Sequence, residues 1–166
     1  MNRRHFLSRT FFTVAGVAAL RQSMLADAQG PAVPAAKLDK VVKTDVEWRK
    51  LLTPAQFSVL RQEGTEPAFS SPLNNEKRKG TFVCAGCELP LFDSRTKYDS
   101  GTGWPSFYDF LPGALGTRRD FKILYPRTEY HCARCGGHHG HVFDDGPKPT
   151  GLRSCNNGVA LKFIPA

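Results

Sequence analysis

A doubled cysteine knuckle constrains this chain more than any other feature. Cys84-Ala85-Gly86-Cys87 and Cys132-Ala133-Arg134-Cys135 each carry two thiols separated by two residues, with Gly86 inside the first turn and Gly136 just after the second. Such a turn lets both sulfurs face inward, and glycine permits the positive φ that it needs. Two knuckles facing each other supply four thiolates in a tetrahedron, each about 2.3 Å from a Zn²⁺ ion and with no coordination position left open, so the metal would be structural. The 44 residues between the pairs, 88 through 131, exceed the spacing of a small zinc ribbon. One ion would therefore tie together two distant hairpins of a larger sheet. Thioredoxin-like redox pairs remain an alternative, although neither pair opens a helix in a βαβ context. So do two disulfides in an oxidising compartment.

The sequence around the knuckles suits that picture. From Gly80 onward short β-prone runs (TFVC, FKILY, EYHC, HVFDD, VALKFI) alternate with Gly, Pro and Asp turns, which predicts an antiparallel, mainly β domain. Two short helices precede it. Asp45 is a candidate N-cap, with Trp48, Leu51 and Leu52 on one helical face. Thr53-Pro54 restarts a second helix carrying Phe57, Val59 and Leu60, and Gly64 ends it. Residues 29–44, rich in Ala, Pro and Lys, read as a linker to a domain over 45–166.

Residues 1–28 read as an address. Arg3-Arg4-His5-Phe6-Leu7, an apolar stretch from Thr10 to Leu20, and Ala26-Asp27-Ala28 form the basic region, apolar core and cleavage site of a twin-arginine signal, which predicts export to the periplasm. No apolar run reaches the roughly 18 residues that cross a bilayer, so no stable membrane insertion of the mature form is expected. The formal charge is +8; residues 1–28 hold four arginines and one aspartate, so their removal leaves +5. The remaining cations are scattered with no aromatic interleaving, which argues against nucleic acid as a partner.

The fifth cysteine, Cys155, stands alone in Gly-Leu-Arg-Ser-Cys-Asn-Asn-Gly. On a strand, Arg153, Cys155 and Asn157 face one side. A cation and an amide there favour the thiolate, the nucleophilic form; a buried structural thiol is the plainer reading. Upstream, Gly-Gly-His138-His139-Gly-His141 places three histidines in four positions, followed by Asp144. This is an acid/base group for Cys155 with Asp144 orienting a ring, a His-x-x-His metal site, or a solvated loop. Trp104, between a Gly-x-Gly turn and Pro105, is either core or the wall of a small apolar pocket.

Taken together, Gly101-Thr102-Gly103-Trp104-Pro105-Ser106-Phe107, the segment Gly137–Pro147 and the segment Gly151–Gly158 resemble the B-type peptide-methionine (R)-S-oxide reductases. The likeness runs in unbroken order through residues 45–165, including Trp48-Arg49-Lys50-Leu51-Leu52, Gly64-Thr65-Glu66 and both knuckles. It implies two antiparallel sheets with short N-terminal helices and a structural four-cysteine zinc site on Cys84, Cys87, Cys132 and Cys135. It implies that Cys155 attacks the sulfoxide sulfur, that His138 and His141 contact and protonate the oxygen, and that Asn157 is the polar partner of the nucleophile. Trp104 would pack on the substrate methyl, with Phe107, Asp144 and Arg153 completing the substrate surround. Implied partners are oxidised proteins or peptides containing methionine R-sulfoxide and a thioredoxin-like or small-thiol reductant. The chain departs from the pattern at Thr102, where many members carry a resolving cysteine, and at His139, Ser154 and Asn156. Without a resolving thiol, an external thiol would reduce the Cys155 sulfenic acid directly.

Overall fold

A computed structural model describes residues 38–123 and 125–166. The signal segment 1–28 and the first part of the expected linker lie outside the described residues. Two helices, α1 (Asp45–Leu51) and α2 (Pro54–Gln62), lead into nine strands among the described residues. These are β1 (Gly80–Cys84), β2 (Pro90–Asp93), β3 (Lys97–Tyr98), β4 (Ser106–Phe107), β5 (Leu115–Asp120), β6 (Arg127–Cys132), β7 (His138–Phe143), β8 (Arg153–Asn156) and β9 (Leu161–Pro165). They form two antiparallel sheets, a three-stranded one ordered β2-β1-β9 and a six-stranded one ordered β3-β4-β8-β7-β6-β5. The mainly β class expected from the sequence is the observed one. Among the described residues no helix is long and apolar enough to cross a membrane.

Both helices start on capping boxes, in which a threonine hydroxyl accepts from the third helical N–H and the third side chain reaches back. Thr53 caps α2 with Pro54 in its first turn. Thr44, not Asp45, caps α1, because Glu47 lies three residues after Thr44 and closes the reciprocal pair. Trp48 and Leu52 turn inward while Leu51 stays exposed. The end of the expected linker is also docked. Leu38 and Val41 pack on the core, Val41 donates its N–H to the Arg134 carbonyl at 3.0 Å, and Lys40 Nζ donates to the Ala133 carbonyl at 2.7 Å.

An aromatic core joins the sheets. Phe107 on β4 stacks on Phe92 of β2 at 4.2 Å between ring centroids and meets Phe82 of β1 edge-on at 4.9 Å. Its exposure is nil, and burying a side chain of this size contributes about 1.5–3 kcal/mol. The expectation that Phe107 borders the substrate is therefore corrected: alternation along β4 sends Ser106 to the Cys155 side and Phe107 between the sheets.

Candidate active site and metal centre

The two knuckles are strand ends folded alike. Cys84 ends β1 and Cys132 ends β6. In each, the residue four further on donates its N–H to the cysteine carbonyl, Glu88 to Cys84 at 2.8 Å and Gly136 to Cys132 at 2.9 Å. Those two residues carry the positive φ of the turn, 60° at Glu88 and 68° at Gly136. Gly86, inside the first turn, is instead where the chain passes under the helices: a Cβ there would lie 3.6 Å from both Trp48 and Leu60. The four sulfurs lie within 4.8 Å of one another, with Cys84–Cys135 at 3.7 Å and Cys87–Cys132 at 3.5 Å. A tetrahedral ion with bonds of about 2.3 Å has sulfur–sulfur edges of about 3.8 Å, so the donor set fits one metal ion held by four thiolates. Arg61 Nη1 donates to the Cys135 carbonyl at 2.9 Å and Arg134 Nη1 to the Cys87 carbonyl at 3.2 Å, which ties α2 and the two knuckles together. None of the five cysteines, all among the described residues, forms a disulfide.

Cys155 lies on β8, the strand between β4 and β7, directly across from Ser106 and from His141. Opposed residues of antiparallel strands bring their Cβ atoms to about 5 Å. The close approach depends on Gly140, where a Cβ would strike the Cys155 carbonyl. A cavity of about 130 Å³ is lined by Cys155, His141, Trp104, Asn157, Arg127 and Phe143, among others. Trp104 stands on its wall, half-buried, with its indole N–H donated to the Glu66 carbonyl at 3.1 Å. Glu66 is buried, and its carboxylate accepts the N–H groups of Gly158 and Val159. The loop behind the indole is thereby clamped to the segment that follows the cysteine.

The two histidines occupy different layers. His141 borders the cavity, while His138 is 3% exposed and does not line it; their rings meet edge-on at 5.5 Å. Neither is oriented by Asp144, whose carboxylate has no hydrogen bond among the described residues. His141 Nε2 is 2.6 Å from Asp120 Oδ2, which also accepts from Arg127 at 2.6 Å. His138 Nδ1 is 2.8 Å from Glu129 Oε1. Glu129 is 2% exposed and also takes His131 at 3.2 Å and Arg118 at 3.1 Å. The backbone N–H of Lys122, with His141 and Arg127, holds the Asp120 carboxyl well below its ordinary range. An ionised Asp120 only accepts, so His141 carries its hydrogen on Nε2 and leaves Nδ1 to exchange a proton. Burial lowers the affinity of that ring for a proton, opposed by the Asp120 bond.

Asn157 lines the cavity, but its amide is a bracket. Nδ2 donates to the His139 carbonyl at 2.9 Å, and Oδ1 accepts the Glu66 N–H at 3.0 Å. Arg153, expected at the substrate, does not line the cavity; it clasps Asp145 in a two-pronged pair at 2.7 and 2.8 Å and lies over the Phe143 ring at 4.3 Å. Its charge still reaches the Cys155 thiol. Burial pushes the Cys155 thiol up, while the Arg153 charge and the Thr102 hydroxyl pull it down, with a net rise. Thr102 heads a chain of hydroxyls, bonded to Ser100 at 2.8 Å, which bonds Ser106 at 2.7 Å.

At rest Cys155 is thus a neutral thiol beside a neutral imidazole. Its alkylation by iodoacetamide, read at Cys155 by peptide mass spectrometry, is expected to accelerate about tenfold per pH unit from pH 7 to 9, since thiolate is the reacting form. A plateau below pH 8 would contradict a raised thiol.

Three carboxylates were missed as site residues in the sequence: Glu66, Asp120 and Glu129. Glu129 carried a signal, an acid inside the β-prone run EYHC. His139 and Asn156, two departures from the family pattern, are both fully buried beside Tyr130. Tyr130 donates to Asn156 Oδ1 at 2.7 Å and its ring lies nearly parallel to His139. Burial drives His139 down to about 3, so it is neutral.

The SelR domain family matches residues 52–165. The peptide methionine sulfoxide reductase MsrB of Leptospira interrogans is 53% identical over 75% of this chain and 95% of its own length. That of Agrobacterium fabrum is 52% identical over 76% of this chain and 94% of its own. Among solved structures, the Mis18 'Yippee-like' domain overlays 54% of this chain and 98% of its own with a TM-score of 0.41 at 17% identity, too remote to carry an argument. With the SelR match spanning nearly all of the folded part and MsrB relatives agreeing at half of the aligned positions, the chain belongs to the MsrB family of SelR-domain proteins.

Proposed function

We propose that this protein reduces methionine (R)-sulfoxide, with Cys155 as nucleophile and one structural Zn²⁺ on Cys84, Cys87, Cys132 and Cys135. The observation that carries the reading is the cross-strand pairing of Cys155 with His141 on the wall of a cavity that Trp104 also lines. A sulfoxide is a polar, chiral centre. Its reduction needs a soft nucleophile at sulfur, a proton at oxygen and an apolar wall for the methyl group.

The Cys155 thiol gives its proton to Nδ1 of His141, and the imidazolium passes it to the sulfoxide oxygen. The thiolate attacks the sulfoxide sulfur. The attack forms a sulfur–sulfur bond; the protonated oxygen then transfers to the Cys155 sulfur as that bond and the sulfur–oxygen bond of the substrate break, so methionine leaves with the electron pair and Cys155 is oxidised to a sulfenic acid. His138 acts through Glu129 and the packed ring of His141, as a positioning residue. Two equivalents of an external thiol return Cys155 to the thiol, releasing water and a disulfide. Thr102 stands where a resolving cysteine would be and supplies only a hydroxyl.

The zinc supplies no reactive position, because four thiolates fill its shell. The test is turnover of the separated R and S epimers of a methionine sulfoxide with dithiothreitol as reductant. The R epimer is expected to react and the S epimer to stay at background. Equal rates on both would overturn the reading.

A further inference from the structure

A second, larger cleft of about 480 Å³ adjoins the Cys155 cavity, and Arg127 and Phe143 line both. Its walls include Tyr125, Val142, Phe143 and Leu152, with Asp144 at the end of the β7 run. Around it the connection from β5 to β6 exposes apolar side chains, Phe121 at 74% and Tyr125 at 72%. Clustered apolar exposure of this kind marks a surface that something covers. The neighbouring acids are committed, Asp145 to Arg153 and Asp120 to Arg127 and His141. The Asp144 carboxylate has no ion pair among the described residues. It lies three residues beyond His141, just past the end of β7, on the wall of this cleft.

We propose that this cleft receives the polypeptide flanking the oxidised methionine, with an apolar side chain against Tyr125, Val142 and Leu152 and a cationic one about three residues from the methionine against Asp144. The inference rests on the sulfoxide reductase reading and adds to it a flanking subsite with a sequence preference, for apolar and basic residues beside the methionine. The occupant follows from continuity. A chain whose methionine enters the cavity leaves it past Arg127 and Phe143, which are already walls of the cleft. The uncommitted carboxylate at the far end matches a cation.

The test uses the full chain and three substrates. One is N-acetyl-methionine R-sulfoxide. The others are heptapeptides with a central methionine R-sulfoxide and leucine flanks, carrying lysine or glutamate at both ends. Tyr125→Ala with Leu152→Ser is expected to lower kcat/KM on the lysine peptide about tenfold through lost apolar contact, with the short substrate within about twofold of wild type. Asp144→Lys is expected to invert the lysine-over-glutamate preference, which in the wild type is about threefold for an exposed pair. Short and long substrates affected alike, or a preference unmoved by Asp144→Lys, would overturn the cleft while leaving the reductase reading intact. Failure on all three substrates would overturn both. Sedimentation of the wild type and the double variant runs alongside. A dimer that the substitutions dissociate, with peptide selectivity unmoved, would assign the cleft to a second copy and overturn the proposal.

Discussion

Stripping the metal from the folded protein, or replacing Cys132 with serine, is expected to unfold the β domain rather than slow its chemistry. Cys84 and Cys132 have no exposed surface, and their sulfurs belong to two different sheets that share no strand. Apparent binding of a structural zinc ion contributes about 10–16 kcal/mol. Domains of this size are stable by only about 5–15 kcal/mol in all. Losing the ion also loosens what is packed on the knuckles: Leu60 beside Gly86 and Gly137, Trp48 beside Gly86, and Arg61 on the Cys135 carbonyl. The measurement is a melting curve with zinc content determined on the same sample. The wild type should hold one zinc per chain, and the stripped protein should show no cooperative transition at the wild-type temperature. A stripped chain that melts where the wild type does would refute a structural metal.

Cys155→Ser is expected to leave the fold intact and to cut turnover by at least about 10³-fold, the scale on which removing a nucleophile acts. The thiol is half-buried and serine is close to it in size, so serine fits its place. A hydroxyl at that position is a far poorer nucleophile than a thiolate. One turnover of the wild type without reductant should add one oxygen atom to Cys155, detected by mass spectrometry. A disulfide from Cys155 to any knuckle cysteine would sink the one-cysteine cycle that Thr102 implies.

The knuckles were legible because their ligands are local. A Cys-x-x-Cys turn is complete in four residues, and only the pairing of the two turns is long-range. The Thr53 cap of α2, its apolar residues Phe57, Val59 and Leu60, and the isolation of Cys155 were readable for the same reason. Capping of α1 shifted by one residue because the reciprocal bond to Glu47 decides between Thr44 and Asp45. Phe107 was misplaced because a two-residue strand gives no alternation pattern to read, and its facing is settled by which sheet covers it. The last part of the expected linker was misjudged because the partners of Leu38, Lys40 and Val41 lie far along the chain, in the core and at the second knuckle.

The sequence by itself determined the donor atoms: four thiols paired in two knuckles, a fifth thiol standing alone, imidazoles and an indole in glycine-bordered segments. Only the tertiary structure decided which of them act together. The pairing of β7 with β8 put His141 beside Cys155 and left His138 in the layer behind. The pairings of β5 with β6 and of β6 with β7 delivered Asp120 and Glu129 to those two rings, while the Asp144 carboxylate, past the end of β7, pairs with neither ring among the described residues. The physical reason is that side-chain direction alternates at every residue of a strand. Register between strands distant in sequence therefore fixes which face each group takes, and residue spacing does not encode it.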